Sequence, residues 1–216
     1  MRIVKRVRGG MDNAVHYEAG TKNQIAVIFS CPGAKEENFV PPGPARGQTG
    51  VNLEGVLKIL TDRYKLSGFT RDQIVITNSW DRVEYPKKTG RSEATPTEVL
   101  AAENLDRLAA EVKEISRYII VCGRNAASAI RALDSAGRLK AGVKIIPIAH
   151  LGNQALNQNI STALDGTIIK SYAKASDRPI DDKRTLKEIR NKNRLDRLAV
   201  VAHGIYRQIR TAPLPP

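Results

Sequence analysis

Four short apolar runs constrain this chain more than any other feature: residues 24–31 (QIAVIFSC), 73–77 (QIVIT), 118–122 (YIIVC) and 143–148 (VKIIPI). Each is rich in β-branched residues and too short for a core helix, so each reads as a buried strand. Between them the apolar spacing changes to that of helices. Leu53, Val56, Leu57 and Leu60 recur at helical intervals within 52–64. Thr95-Pro96-Thr97-Glu98 opens a long helix through Val112, and a third helix covers 125–133. Alternation of strand and helix predicts an α/β three-layer sandwich around a mainly parallel four-stranded central sheet. In such sheets ligands gather beyond the carboxyl ends of the strands.

The remaining segments divide the chain into an N-terminal arm (1–23), a core that carries the motifs (24–155), and a loop with a basic C-terminal helix (156–216), all within one domain spanning 1–216. Gly and Pro punctuate 38–50, which reads as a loop. Residues 78–95 form a polar loop containing Lys87, Lys88 and Arg91, and 151–185 an extended loop. The final helix, 186–209, is expected to bury Leu195, Leu198, Val201, Ala202 and Ile205. No internal repeat or low-complexity tract occurs.

Composition narrows the function classes. The two cysteines, Cys31 and Cys122, exclude a disulfide framework or a four-cysteine cluster, and no metal or cofactor is expected. No apolar run is long enough to span a bilayer, and the basic N-terminus lacks the apolar stretch of a secretory signal, so a cytoplasmic monomer without a membrane partner is expected. Thirty-five Lys and Arg against 22 Asp and Glu give a formal net charge of +13. A surplus of that size favours a polyanionic partner through counterion release.

Three strand ends carry unusual residues. The first run continues as Phe29-Ser30-Cys31-Pro32-Gly33-Ala34-Lys35-Glu36-Glu37, which resembles the Gly-Glu-Ala-Pro-Gly-x-x-Glu-Asp motif of bacterial uracil-DNA glycosylases. Downstream, Gly47-Gln48-Thr49-Gly50 followed by Leu53 is similar to their Val-Gly-x-Ala-Gly-x-Leu-Leu stretch. The second run ends in Ile76-Thr77-Asn78, like their Ile-Thr-Asn, followed by a basic loop and Thr-Pro-Thr-Glu. The third, with Gly123 and Ala126-Ala127 after it, resembles their apolar strand and Ala-Ala helix. Ala149-His150-Leu151-Gly152 stands where they carry His-Pro-Ser.

The resemblance implies a glycosylase fold and an enzyme that flips a base out of double- or single-stranded DNA and hydrolyses its bond to the sugar. Negative charge grows on the departing base, so a hydrogen-bond donor must face it, a role the resemblance gives to His150. A side-chain amide offers a donor and an acceptor to a pyrimidine edge, and Asn78 is that reader. The departures bear on the substrate. Ser30-Cys31 replaces the pair that supplies a water-positioning acid in some relatives, leaving Glu36 or Glu37 as the nearest carboxylates, with a solvated turn pair as the alternative. Ala45 stands where relatives keep a stacking Phe, unless Phe39 takes that place. Arg46, Gln48, Lys87, Lys88, Arg91 and Asn153 are expected to meet DNA.

A pocket without the stacking ring suits a bulky modified pyrimidine, such as hydroxymethylated or glucosylated cytosine of phage DNA excised in anti-phage defence. Uracil or deaminated-base repair is the nearest alternative, and a catalytically inactive DNA-binding module the alternative of another class. No lysine lies in the strand-end motifs to form a Schiff base with the sugar, so a monofunctional reaction is expected. A nucleotide-binding role for Gly123 lacks any Walker or dinucleotide fingerprint.

Overall fold

The computed structural model describes residues 14–169 and 183–211. Its sheet is built by β1 (Tyr17–Glu18), β2 (Ile25–Phe29), β3 (Val75–Asn78), β4 (Tyr118–Cys122) and β5 (Lys144–Ile148), in the order β1-β3-β2-β4-β5. β2, β3, β4 and β5 pair in parallel, and β1 adds an antiparallel edge. The sheet thus has five strands rather than four. Tyr17 and Glu18 lie within the stretch expected to be an arm, and two residues are too few to leave a periodic signal. Residues 1–13 of that arm lie outside the described residues.

Alternate strand residues feed two cores, as the period of two requires. Ile25, Val27 and Phe29, with Ile76, Ile120 and Cys122, face α2 (Gln48–Asp62) and α8 (Lys183–Arg210). Ala26, Ile28, Val75, Ile119 and Val121 face the opposite layer, formed by α4 (Pro96–Val99), α5 (Ala102–Val112) and α6 (Arg124–Ser135). Short helices α1 (Ala34–Glu37), α3 (Pro86–Thr89) and α7 (Asn153–Asn159) lie in the connections at the carboxyl ends of the strands. The expected three-layer α/β arrangement is therefore present.

Three boundaries and one burial differ from expectation. α2 starts at Gln48, inside the stretch read as a loop, because Gly50 lets its first turn sit against the backbone of Ala45. The long helix from Thr95 is two helices, broken where the Asn104 side-chain amide donates to the Val99 carbonyl at 2.7 Å. α7 occupies part of the expected 151–185 loop, of which 170–182 lie outside the described residues. Leu195 is 45% exposed, while Leu198, Val201, Ala202 and Ile205 are buried.

The Gly50 contact is testable. A Cβ at this position would lie 1.9 Å from the Ala45 carbonyl oxygen, a backbone atom that cannot swing aside. Gly50→Ala is expected to lower stability by about 1–3 kcal/mol, the usual cost of overpacking. Urea unfolding at constant m-value checks it.

Candidate active site

The chain leaves the sheet at the carboxyl ends of β2, β3 and β5 to enclose a cavity of about 180 Å³ lined by Phe29, Cys31, Glu36, Ala45, Asn78, Glu93 and His150, among others. β2 and β3 pair so that Phe29 lies opposite Asn78, and both project on the α2 side of the sheet. The chain beyond these strands stays paired: the Ser79 amide donates to the Phe29 carbonyl at 2.7 Å and Trp80 to Ser30 at 2.9 Å. Gly123, after β4, has φ +92°, and a Cβ there would touch the His150 Cβ at 3.5 Å. That distance is ordinary contact, so it is the positive φ that calls for glycine at this turn.

His150 is half-buried, and its Nδ1 accepts the Gly152 amide proton at 3.0 Å. Burial lowers its pKa below the ordinary 6.5, although Glu93 and Glu36 pull in the opposite direction. A neutral ring whose Nδ1 is an acceptor carries its proton on Nε2. Nε2 has no hydrogen-bond partner among the described residues, so the ring offers one free donor. Its loop is tied to α2 by buried Asn52, which donates to the Leu151 carbonyl at 2.7 Å and to Asn153 Oδ1 at 3.0 Å. Sequence reasoning missed Asn52, whose position within an apolar helix stripe was the available signal.

Asn78 is 2% exposed, and its buried Oδ1 has no hydrogen-bond partner among the described residues. Its backbone is held firmly. The amide donates to the His16 carbonyl at 3.1 Å, and the carbonyl accepts from Arg107 at 3.0 Å. Arg107 is itself fixed by Glu111, which also accepts from Thr77 and is bonded to His16. An unpaired buried amide costs about 1–3 kcal/mol, so a rigidly held one facing a cavity points to a ligand.

The two carboxylates expected near the reaction separate. Glu36 lines the cavity, but both its oxygens are taken by backbone N–H groups of Gly33, Arg46 and Gly47. It clasps the loop that carries Ala45. Glu37 is outside the cavity, where it bonds Tyr85 and Lys88 and fastens α3; those bonds hold its pKa below the ordinary carboxylate value. Two carboxylates that no motif or spacing singles out, Glu84 and Glu93, also line the cavity. Glu84 accepts from Trp80 and is paired with Arg91, which holds its pKa at about 2. Glu93 accepts from Ser30 Oγ and from Asn125 at 3.3 Å. Its signal was the polar loop after β3, which has no periodicity to select one acid.

Ser30 is buried with its hydroxyl directed to Glu93, so it is not a free base contact. Cys31 is a wall of the cavity. Burial first, then the charge of Glu93, pushes its thiol up to about 11, so it stays protonated and is no nucleophile at neutral pH. Ala45 is buried at φ +49° and contributes only a methyl group. Phe39 is 45% exposed beneath the Arg46 guanidinium and does not line the cavity. The aromatic wall is Phe29, whose ring meets His150 edge-on at 6.3 Å.

The expected DNA contacts also divide. Lys87 is exposed with no partner among the described residues, and Gln48 and Asn153 are exposed on either side of Asn52, to which both are hydrogen-bonded. Lys88 is paired with Glu37. Arg91 is spent on Glu84 and Glu98, and Arg46 on Glu18 at 2.7 Å. These two arginines are internal pins, because the carboxylates folded against them compete with any phosphate. Among the described residues no cluster of three or more acidic, His or Cys side chains is arranged to hold a metal ion, and no helix is long and apolar enough to cross a membrane. Compared by sequence, the chain matches no protein-family model and no curated protein.

The depressed pKa of His150 has a signed consequence. Between its folded value and 6.5 the unfolded chain binds the proton more readily, so acidification through that window removes stability, while above 6.5 the contribution is constant. A proton NMR titration should place the His150 ring below 6.5, and His150→Ala should flatten the fall of stability across the same window. A ring titrating at or above 6.5 would contradict the neutral donor.

Proposed function

We propose that the protein is a DNA glycosylase that takes one flipped base into this cavity and hydrolyses its N-glycosidic bond. The observation that carries the reading is the pair of uncommitted groups converging from separate strands, the buried Asn78 amide and the His150 Nε2 proton. Asn78 offers an acceptor and a donor to the edge of a base. His150 offers a donor to a base oxygen as negative charge gathers there, and a neutral imidazole does so without transferring its proton. Phe29 adds an aromatic surface beside the base, of the kind on which bases stack. The surplus of 13 positive charges suits the phosphate backbone that must deliver the base.

The target is an enlarged pyrimidine, such as hydroxymethylated or glucosylated cytosine, which assigns the protein to defence against phage. The small side chains of Ala45 and Cys31 in the wall leave space that a ring at position 45 would occupy. A site that contacts the added group spares plain cytosine by leaving its own polar atoms unpaired when the group is missing.

Duplexes containing uracil, hypoxanthine, hydroxymethylcytosine or glucosylated hydroxymethylcytosine, each incubated with the protein and then treated with alkali, test this directly. Strand breaks at the modified cytosine, fastest for the enlarged base, are the expected result. His150→Ala should slow single-turnover release about 100- to 1,000-fold with little change in DNA affinity, since the donor acts chiefly in the transition state. Release of uracil in preference to modified cytosine moves the protein to base repair. DNA binding with no release at all moves it to an inactive binding module.

Binding should weaken steeply with salt. Lys87→Ala is expected to reduce the slope of log K against log salt by about 1. Arg91→Ala should leave that slope unchanged and instead lower thermal stability, because it strands the buried Glu84 carboxylate. Equal salt effects from both variants would contradict the division between free and internal cations.

A further inference from the structure

We propose that Glu93 is the carboxylate that orients the attacking water and faces the positive charge on the sugar; this rests on the glycosylase reading. Three carboxylates line the cavity, and the hydrogen bonds distinguish them. Glu36 has both oxygens occupied by backbone N–H groups. Glu84 has both occupied by Trp80 and Arg91, so its charge is neutralised. Glu93 is different on both counts. Only its Oε2 is engaged, by Ser30 and Asn125, and Oε1 has no partner among the described residues. Both donors are neutral, and among the described residues no Lys or Arg pairs with it, so no cation offsets the carboxylate beside the cavity.

The supports of Glu93 form a directed chain. Asn125, at the start of α6, donates to the Ala94 carbonyl at 3.0 Å and also reaches Ser30 Oγ and Glu93 Oε2. Ser30, buried at the end of β2, gives its only proton to Glu93. The rigid sheet thereby fixes one oxygen of a cavity-lining carboxylate borne on an exposed loop and leaves the other without a partner among the described residues. Ser30, expected to touch the base, becomes a positioning residue.

The reaction balances with the groups present. The bond between the sugar C1′ and the base nitrogen breaks, and its electron pair leaves with the base, whose oxygen accepts a hydrogen bond from His150. Positive charge on the sugar is stabilised by the Glu93 carboxylate. Water forms the new C1′–O bond and gives one proton to Glu93, which releases it through solvent to the departed base. The products are an abasic sugar and the neutral base, and nothing is oxidised or reduced. Opposite-charge stabilisation and water activation by one carboxylate follow the general chemistry of glycoside hydrolysis.

The test combines base release with a binding readout. Wild-type protein should bind a duplex carrying a cationic pyrrolidine in place of the sugar about tenfold or more tighter than one carrying the neutral tetrahydrofuran analogue, because the former mimics the charged sugar. Glu93→Gln should abolish that preference and slow single-turnover release, on whichever of the four duplexes the wild type cleaves, by about 100-fold. Glu93→Asp should recover part of both. Thermal melting of each variant reports folding. If the wild type releases a base while Glu93→Gln retains the cation preference and releases it within about threefold of the wild-type rate, the role of Glu93 is wrong and the glycosylase reading stands. If the wild type releases no base from any of the four duplexes and binds the two analogues alike, the glycosylase reading fails and the role of Glu93 fails with it.

Discussion

The parallel pairing of β2 with β3 and β4 is the constraint on which the rest of the structure depends. It puts three chain ends on one edge of the sheet, and its register sets Phe29 opposite Asn78. Side chains alternate faces along a strand, so a slip of one residue would turn Asn78 toward the α5 and α6 layer and out of the cavity. The register is secured by what the strands bury. Ile76 must face α2 and α8, Val75 the opposite core, and every residue of β2 is buried. Hydrophobic patterning thus fixes the position of a polar side chain that contributes nothing to the core.

That polar side chain opposes folding. A buried amide oxygen without a partner costs about 1–3 kcal/mol, whereas the open oxygen of exposed Glu93 can be hydrated and costs little. The surrounding structure offsets this with bonds that are fully satisfied. Glu36 closes the loop from Gly33 to Gly47, Asn52 ties the His150 loop to α2, and Arg107 holds the Asn78 backbone. Each of these side chains is engaged by several partners, while Asn78, Glu93 and His150 each keep one valence open. Rigid supports around open valences are how a fold presents chemistry without collapsing onto it.

Much of the fold was legible because strands and helices announce themselves by period. All four parallel strands lie where the apolar runs stand, and β1 was lost only because two residues have no period. Within the site, Asn78, Cys31 and His150 just at or after strand ends and Ala45 in the loop before α2 were legible, and all line the cavity. The carboxylates were not. Glu36 and Glu37 are neighbours in sequence, yet one faces the cavity and its backbone clasp while the other turns to Lys88 and Tyr85. Glu93 comes from a polar loop, where no spacing rule picks one acid among several. Phe39 and Phe29 exchanged places for a similar reason, since burial at the end of a strand and exposure on a loop depend on tertiary contacts that lie far away in sequence.

Charge separates in the same way. Ion pairing changes no formal charge, so it leaves the surplus of +13 untouched and only decides which cations face solvent unpaired. Lys87, Lys88 and Arg91 look like one basic patch in sequence. In the fold, Arg91 turns inward to Glu84 and Glu98, Lys88 pairs with Glu37, and Lys87 has no partner among the described residues. Arg46 and Arg71 both converge on Glu18, which belongs to the edge strand and brings two arginines under control from one carboxylate. The acids thus hold selected arginines as structural pins around the loops of the cavity. Counterion release depends on the cations left unpaired, so the affinity for a polyanion is set by a subset of the basic residues that charge counting cannot name.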